Sequence, residues 1–378
     1  MPDPADPKIT IPAGLLPRDG RFGSGPSKVR PEGLDALGRA WTDLIGTSHR
    51  QAPVRSLVGR ARAGLAELFS LPAGYEVVLG NGGATAFWDI ATFCLIRRRS
   101  QHVVFGEFSS KFAAAAAAAP HIDEPDVITA PVGSRTAAQA REGIDLYALI
   151  HNETSTGVMA EVRRPTGAGP EALVAVDATS AAGGLPVDAT EFDAYYFAPQ
   201  KCFAADAGLW LALLSPATIE RAERLRETGR WVPASLDLGA AIEASRKDQT
   251  TNTPAIATLV LLVDQLEAML EKGGLPFAAS RSQASARILY AWAEARPYTR
   301  PYVGEAAARS TVVGTVDLDD AVPAAVVARV LRANGIVDTE SYRGLGRNQL
   351  RIGMYPAVDP GDVEALTACI DHVVGALG

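Results

Sequence analysis

Between residues 55 and 215 short apolar runs, several of them apolar throughout, alternate with helical stretches, and this rhythm restricts the possible folds more than any other feature of the chain. The runs are Glu76-Val-Val-Leu79, His102-Val-Val-Phe105, Ala148-Leu-Ile150, Leu173-Val-Ala-Val176, Ala194-Tyr-Tyr-Phe197 and Gly208-Leu-Trp-Leu-Ala-Leu-Leu214. Strands covered on both faces read this way, apolar throughout instead of alternating with polar residues. Helices are predicted between them at Arg55 to Phe69, Ala84 to Ile96 and Ser109 to Ala119. The alanine run from 113 to 119 favours helix, and Pro120 stops it. Such alternation predicts an α/β domain around a mostly parallel sheet.

The pattern changes after residue 254. A helix from Pro254 to Lys272 stops at Gly273-Gly274, a C-cap signal that marks a boundary. An amphipathic helix from Phe277 to Ala295 follows. Then come a strand from Thr311 to Leu318, a helix from Pro323 to Ala333 and an Asn334-Gly335 turn. Strands Ile336 to Thr339 and Gln349 to Met354 and a helix from Pro360 to Gly375 complete the chain. This is α+β character. The expected division is a large domain over residues 31–275 and a smaller one built from residues 1–30 and 276–378.

Composition excludes several function classes. The 378 residues suffice for two domains, and a hydrophobic share of 47% with 21% charged residues is ordinary for a globular protein. A net charge of −7 leaves no basic surplus to neutralise phosphates, so no nucleic-acid partner is expected. Arg97-Arg-Arg99 is read as completing a helix C-terminus, where cations are favoured. Cys94, Cys202 and Cys369 are odd in number and far apart, which suggests neither a metal site nor a disulfide framework. Met1-Pro-Asp-Pro-Ala-Asp-Pro7 lacks an apolar signal core, and no apolar run reaches the roughly 18 residues of a membrane span. The expectation is a cytoplasmic protein with no membrane partner.

One residue stands out chemically. Of the 36 basic residues only Lys8, Lys28, Lys111, Lys201, Lys247 and Lys272 are lysines. Lys201 follows a buried-strand pattern, where a charged amine is costly to desolvate. A desolvated lysine can attack carbonyls as a free amine; the plain alternative is a lysine snorkelling to solvent. Asp177 ends the run Leu173-Val-Ala-Val-Asp177, and ligands gather at the carboxyl ends of strands in open α/β sheets. Alone it reads equally as a turn aspartate. An amine and an acid at neighbouring strand ends are what pyridoxal phosphate requires, one for its aldehyde and one for its ring nitrogen.

Gly80-Asn-Gly-Gly-Ala-Thr85 follows a strand and opens a helix, so backbone N–H groups there can meet a phosphate, with Thr85 adding a hydroxyl. A dinucleotide loop, with Glu107 as the ribose acid, is a weak rival because the third small residue is missing; a plain glycine turn is another. Phe108 lies at the same sheet edge and could stack on a planar ring or serve only as core. Gly46-Thr-Ser-His49-Arg50 and Tyr342-Arg343-Gly-Leu-Gly-Arg347-Asn-Gln-Leu-Arg351 put arginines beside glycines, which suits an anionic substrate.

Further motifs are Phe22-Gly-Ser-Gly-Pro-Ser27, His151-Asn-Glu-Thr-Ser155, Val176-Asp-Ala-Thr179, Ala198-Pro-Gln-Lys201 and Thr251-Asn-Thr-Pro254. In this order, over nearly the whole chain, the motifs resemble the phosphoserine aminotransferase family, in class V of the fold-type I pyridoxal-phosphate enzymes. The resemblance implies that Lys201 bonds the cofactor and shuttles the substrate proton, with Asp177 on the ring nitrogen. Thr154 would bond the ring hydroxyl and Phe108 would stack on the ring. Ala84, Thr85, Gln200 and, from a neighbouring subunit, Asn252 and Thr253 would hold the phosphate. Ser24 and Arg50 match substrate-contacting positions, and Arg351 matches the α-carboxylate arginine. His49, Arg50 and Arg343 or Arg347 would face the distal anion. The implied substrates are L-glutamate and 3-phosphohydroxypyruvate, in a homodimer with shared active sites that serves serine synthesis and, as a side activity, pyridoxine synthesis. The chain departs from the family at Thr85, where many members carry arginine, and at Pro199.

Rival readings explain less. Alanine–glyoxylate or serine–glyoxylate aminotransferases have no need of the arginine-rich anion set. A cysteine desulfurase needs a loop cysteine. A nicotinamide oxidoreductase leaves Lys201 and Asp177 unexplained, and a non-enzymatic scaffold would not keep the lysine.

Overall fold

The computed structural model describes residues 8–377. Met1 to Pro7, read above as a start without a signal core, and Gly378 lie outside the described residues. The first half of the chain runs α1 (Pro31–Arg39), α2 (Ala52–Leu68), β1 (Glu76–Gly82), α3 (Ala84–Cys94), β2 (Ser100–Val104), α4 (Glu107–Ala117), β3 (Asp126–Thr129), β4 (Leu146–Ile150), β5 (Asn152–Glu153), β6 (Val158–Met159), β7 (Leu173–Asp177) and β8 (Ala194–Phe197). It continues through β9 (Gly208–Leu214), α5 (Pro216–Glu227), α6 (Leu238–Ser245), α7 (Ile256–Glu271), α8 (Gly274–Ala295), β10 (Thr299–Pro301), β11 (Val313–Leu318), α9 (Ala324–Ala333), β12 (Gln349–Gly353) and α10 (Pro360–Leu377).

Seven strands form the central sheet in the order β1-β9-β8-β7-β4-β2-β3. Only β9 runs antiparallel to its neighbours; the others pair in parallel from β8 through β3. All-apolar strands have cores on both faces. Val77, Leu149, Val176 and Tyr195 face one core with α2 and α7, while Val78, Ala148, Ala175 and Tyr196 face the other with α3 and α6. A third core joins Ile11 and Phe22 to Leu289, Val316, Leu350 and Ile370 around the sheet β10-β11-β12. The N-terminal segment is tied to that sheet, because Phe22 N donates to Val337 O and Gly353 N to Phe22 O.

Three local expectations are corrected. Ile336 to Thr339 is not a strand: Val337 and Glu340 make isolated bridges, and Asp338 between them has φ 64°, which breaks the pleat. Arg97 to Arg99 do not complete α3, which ends at Cys94; their backbone N–H groups instead converge on the Asp145 carboxylate at 2.7–2.9 Å. The glycine-rich stretch is partly strand, since β1 runs on through Gly82 opposite Gly208.

Candidate active site

Because all strands but β9 point the same way, the segments after β1, β2, β4, β7 and β8 meet at one edge of the sheet, and the predicted residues collect there. Asp177, the last residue of β7, is buried and receives three bonds from neutral donors. Trp88 Nε1 donates to Oδ2 at 3.0 Å, and Thr179 donates to Oδ1 through N at 3.0 Å and Oγ1 at 2.5 Å. Burial pushes its pKa above the ordinary carboxylate value, against those bonds and the charge of Lys201.

Lys201 lies four residues beyond β8. Its Nζ donates to Ser24 O at 2.6 Å, and Tyr355 Oη donates to the same carbonyl at 2.8 Å. Ser27 locks the segment from the other side, with N on Gln200 O at 2.8 Å and Oγ on Lys201 O at 2.5 Å. The fit leaves no room for a side chain at Gly25, where a Cβ would stand 1.8 Å from Lys201 Nζ. Desolvation, then the nearby Arg351 charge, brings the lysine pKa down to about 8. The amine therefore loses its proton far more readily than an ordinary lysine, being about half neutral near pH 8.

The β5–β6 hairpin clamps α4. Glu153, fully buried, accepts from Phe108 N at 3.3 Å and from Ser109 N at 3.0 Å, while Ser155 Oγ accepts from Glu107 N at 3.2 Å. The first turn of α4, which carries Phe108, is thus fixed to the segment that carries Thr154. Thr154 Oγ1 meets Ser180 Oγ at 2.7 Å. Arg351, on β12, donates to Thr154 O at 3.3 Å and lies over the Tyr342 ring, whose other neighbour is Phe108 at 6.0 Å.

A second cluster forms at the end of β1. Asn81 Nδ2 donates to Thr253 O at 2.7 Å, and Thr253 Oγ1 contacts His49 Nδ1 at 3.1 Å. Here Asn252 and Thr253 are exposed, and Thr253 lies against Asn81 of its own chain. Arg50 and Arg343 are exposed. Arg347 does not join the site residues: Asp317 takes both arms of its fork, at 3.1 and 2.5 Å, and Tyr302 stacks on it at 4.4 Å.

The region has unmet bonding capacity. Ser24 Oγ, Asn81 Oδ1, Asn152 Oδ1, Gln200 Oε1 and Arg351 Nε are buried without partners. No side chain caps the N-terminus of α3, where Ala84 is buried and Thr85 exposed. Gly80 must lack a side chain there because the Trp210 ring would lie 2.2 Å from its Cβ. A free helix N-terminus for an anion, an acid, an amine and orphaned polar atoms fit pyridoxal phosphate. Sequence reasoning missed Trp88, Glu153, Tyr342 and Tyr355 as parts of this site. Among the described residues no His, Cys, Asp or Glu cluster could hold a metal ion, and no helix is long and apolar enough to cross a membrane.

The aminotransferase class-V family model matches residues 22–366. A phosphoserine aminotransferase of Nocardioides sp. strain JS614 is 62% identical over 370 residues, covering 98% of this chain and 99% of that protein. The crystal structure of a phosphoserine aminotransferase from Cytophaga hutchinsonii superposes with a TM-score of 0.85 at 24% identity, over 93% of this chain and 99% of that one. Phosphoserine aminotransferase from Bacillus circulans subsp. alkalophilus gives 0.81 at 21% identity, over 96% and 99%. The two structures speak for the fold.

Proposed function

The chain belongs to the class-V aminotransferase family, and on its 62% identity to a phosphoserine aminotransferase we propose that it exchanges the amino group between L-glutamate and 3-phosphohydroxypyruvate. The products are O-phospho-L-serine and 2-oxoglutarate, which places the enzyme in L-serine biosynthesis, in keeping with its 62% identical relative. The observation that carries the site assignment is the pair of Lys201 and Asp177 at neighbouring strand ends, one amine brought down to about 8 and one acid on neutral donors.

Pyridoxal phosphate is the cofactor that suits these residues; when bound, it supplies an electron sink for the substrate's Cα electrons. Lys201 would bond its aldehyde, Asp177 face its ring nitrogen and Phe108 cover its ring, with Thr154 at its hydroxyl. The α3 N-terminus at Ala84 and Thr85 and the side chain of Gln200 would take its phosphate. Asn252 and Thr253 would add to that cradle across a homodimer interface.

Lys201 Nζ acts as the general base that takes the Cα proton and returns it, a role suited by a pKa near working pH. Ser24 O accepts from Nζ and keeps the amine aimed while it carries the proton. Arg351 has an unpartnered Nε and a planar fork for the α-carboxylate that both substrates share. His49, Arg50 and Arg343 would receive the distal carboxylate or phosphate, whereas Arg347 keeps to Asp317. Residues 31–275 would form the cofactor domain and residues 1–30 with 276–378 the domain that brings Arg351.

Borohydride reduction of reconstituted protein, digestion and mass spectrometry test the assignment. The pyridoxyl group is expected on the peptide containing Lys201; a modified peptide elsewhere, or none, refutes it. Coupled assays of phosphoserine with 2-oxoglutarate against alanine with glyoxylate test the substrates.

A further inference from the structure

Among the described residues, all hydrogen bonds to the Asp177 carboxylate come from neutral donors, and only one of them comes from another secondary-structure element: Trp88 Nε1 on α3, at 3.0 Å from Oδ2. The indole is held firmly. It is buried, stacks with Phe112 at 6.3 Å and 14°, and sits on a turn whose carbonyl also accepts from Thr92 Oγ1 at 2.7 Å. Tyr196, the register partner of Asp177 on β8, is buried, and its hydroxyl, which makes no hydrogen bond of ordinary geometry, lies near the Trp88 indole. Among the described residues, Trp88 is the one side chain that donates to Oδ2.

Trp88 lies one helical turn beyond Ala84, so the helix that offers its free N-terminus to a phosphate also reaches the acid for the ring nitrogen. The two anchor points of the cofactor are thereby set by a single rigid element. Tryptophan donates and cannot accept, so its N–H favours the anionic, acceptor-only form of the carboxyl group.

We propose that Trp88 is a positioning residue for the cofactor, its indole N–H fixing the Asp177 carboxylate so that α3 sets the span from phosphate cradle to ring acid. The proposal rests on the assignment of Asp177 to the ring nitrogen. It assigns Trp88 no contact with substrate and no share in proton transfer.

The test is the equilibrium dissociation constant of pyridoxal phosphate for cofactor-free protein, measured by dialysis. It is read for wild type, Trp88→Phe, Asp177→Asn and the double variant, a cycle that isolates the pairwise effect. Trp88→Phe should weaken binding about tenfold or more, the loss expected for a bond to a charged acceptor. In the Asp177→Asn background the same change should alter binding by no more than about twofold. A purely packing role would weaken both backgrounds equally, and that result would overturn the proposal, as would Trp88→Phe binding like wild type. Should the smaller ring perturb the fold, benzothienylalanine at position 88 keeps the bicyclic shape without the N–H and must give the same pattern. Wild-type protein that fails to bind pyridoxal phosphate would overturn the cofactor assignment beneath the proposal, a result distinct from an absent coupling.

Discussion

Replacing Glu153 should separate what burial costs this carboxylate from what its hydrogen bonds return. The side chain is fully buried and holds five donors. Phe108 N (3.3 Å), Ser155 N (3.2 Å) and Ser155 Oγ (2.6 Å) reach Oε1, and Ser109 N and Oγ, each at 3.0 Å, reach Oε2. In Glu153→Ala the hydroxyls can turn elsewhere, as Ser109 Oγ already does towards Gly106 O. The three amides cannot. At about 1 kcal/mol or more for each orphaned amide, the loss should be about 3–5 kcal/mol. Glu153→Gln keeps the Oε1 bonds and sets an NH2 against the two Ser109 donors, for about 1–3 kcal/mol. Burial raises the folded-state pKa above the ordinary 4.5 despite the bonds. Between 4.5 and that raised value the folded protein binds more protons than the unfolded chain, so this group's contribution to stability falls as pH rises. The glutamine variant should lack that slope. Urea unfolding of the cofactor-free protein at stepped pH, with unchanged m-values, reads all three quantities. An alanine variant within about 0.5 kcal/mol of wild type, or a glutamine variant with the wild-type slope, would refute the reasoning.

Other expectations are simpler. Lys201→Ala should lower kcat by at least about 100-fold while far-UV circular dichroism stays unchanged; normal transamination would remove the lysine from the mechanism. Gly25→Ala puts a Cβ 1.8 Å from Lys201 Nζ at a φ of 148°, so the lysine must move and the backbone is strained; kcat should fall by about 100-fold and the melting temperature should fall as well. Arg351→Ala should raise KM for both substrates about tenfold or more, whereas Arg347→Ala should leave KM unchanged and lower stability through Asp317. In cofactor-free protein, modification of Lys201 by an amine reagent should rise with a midpoint at about pH 8, and a midpoint at the ordinary 10.5 would contradict its desolvation.

Residues whose position follows from their place along a strand were legible in advance. Ala194–Phe197 and Gly208–Leu214 appear with the expected bounds, and the places of Asp177 at the end of β7 and Lys201 just beyond β8 follow from the strand pattern. Two misses were local signals passed over. Ser215-Pro216 opens α5, with Ser215 Oγ accepting from Thr218 N, and Asp237 caps α6 in the same way. The remaining misses depend on contacts distant in sequence. Trp88 reads as one more apolar residue of a helix until β7 brings Asp177 to it. Glu153 appears in sequence only as part of the motif His151 to Ser155, and nothing there shows its partners until α4 lays its first turn on it. The fork of Arg347 is indistinguishable from that of Arg351 until Asp317 claims it.

The hold of Tyr355 on the Ser24 carbonyl joins residues 331 positions apart. A chain emerging from the ribosome can pair most of its central sheet long before Tyr355 has been translated. Until then the segment carrying Ser24 lacks that anchor. Products of premature termination would lose the tyrosine clasp beside the lysine together with α10, whose apolar residues complete the third core, and so would expose both the amine and that core.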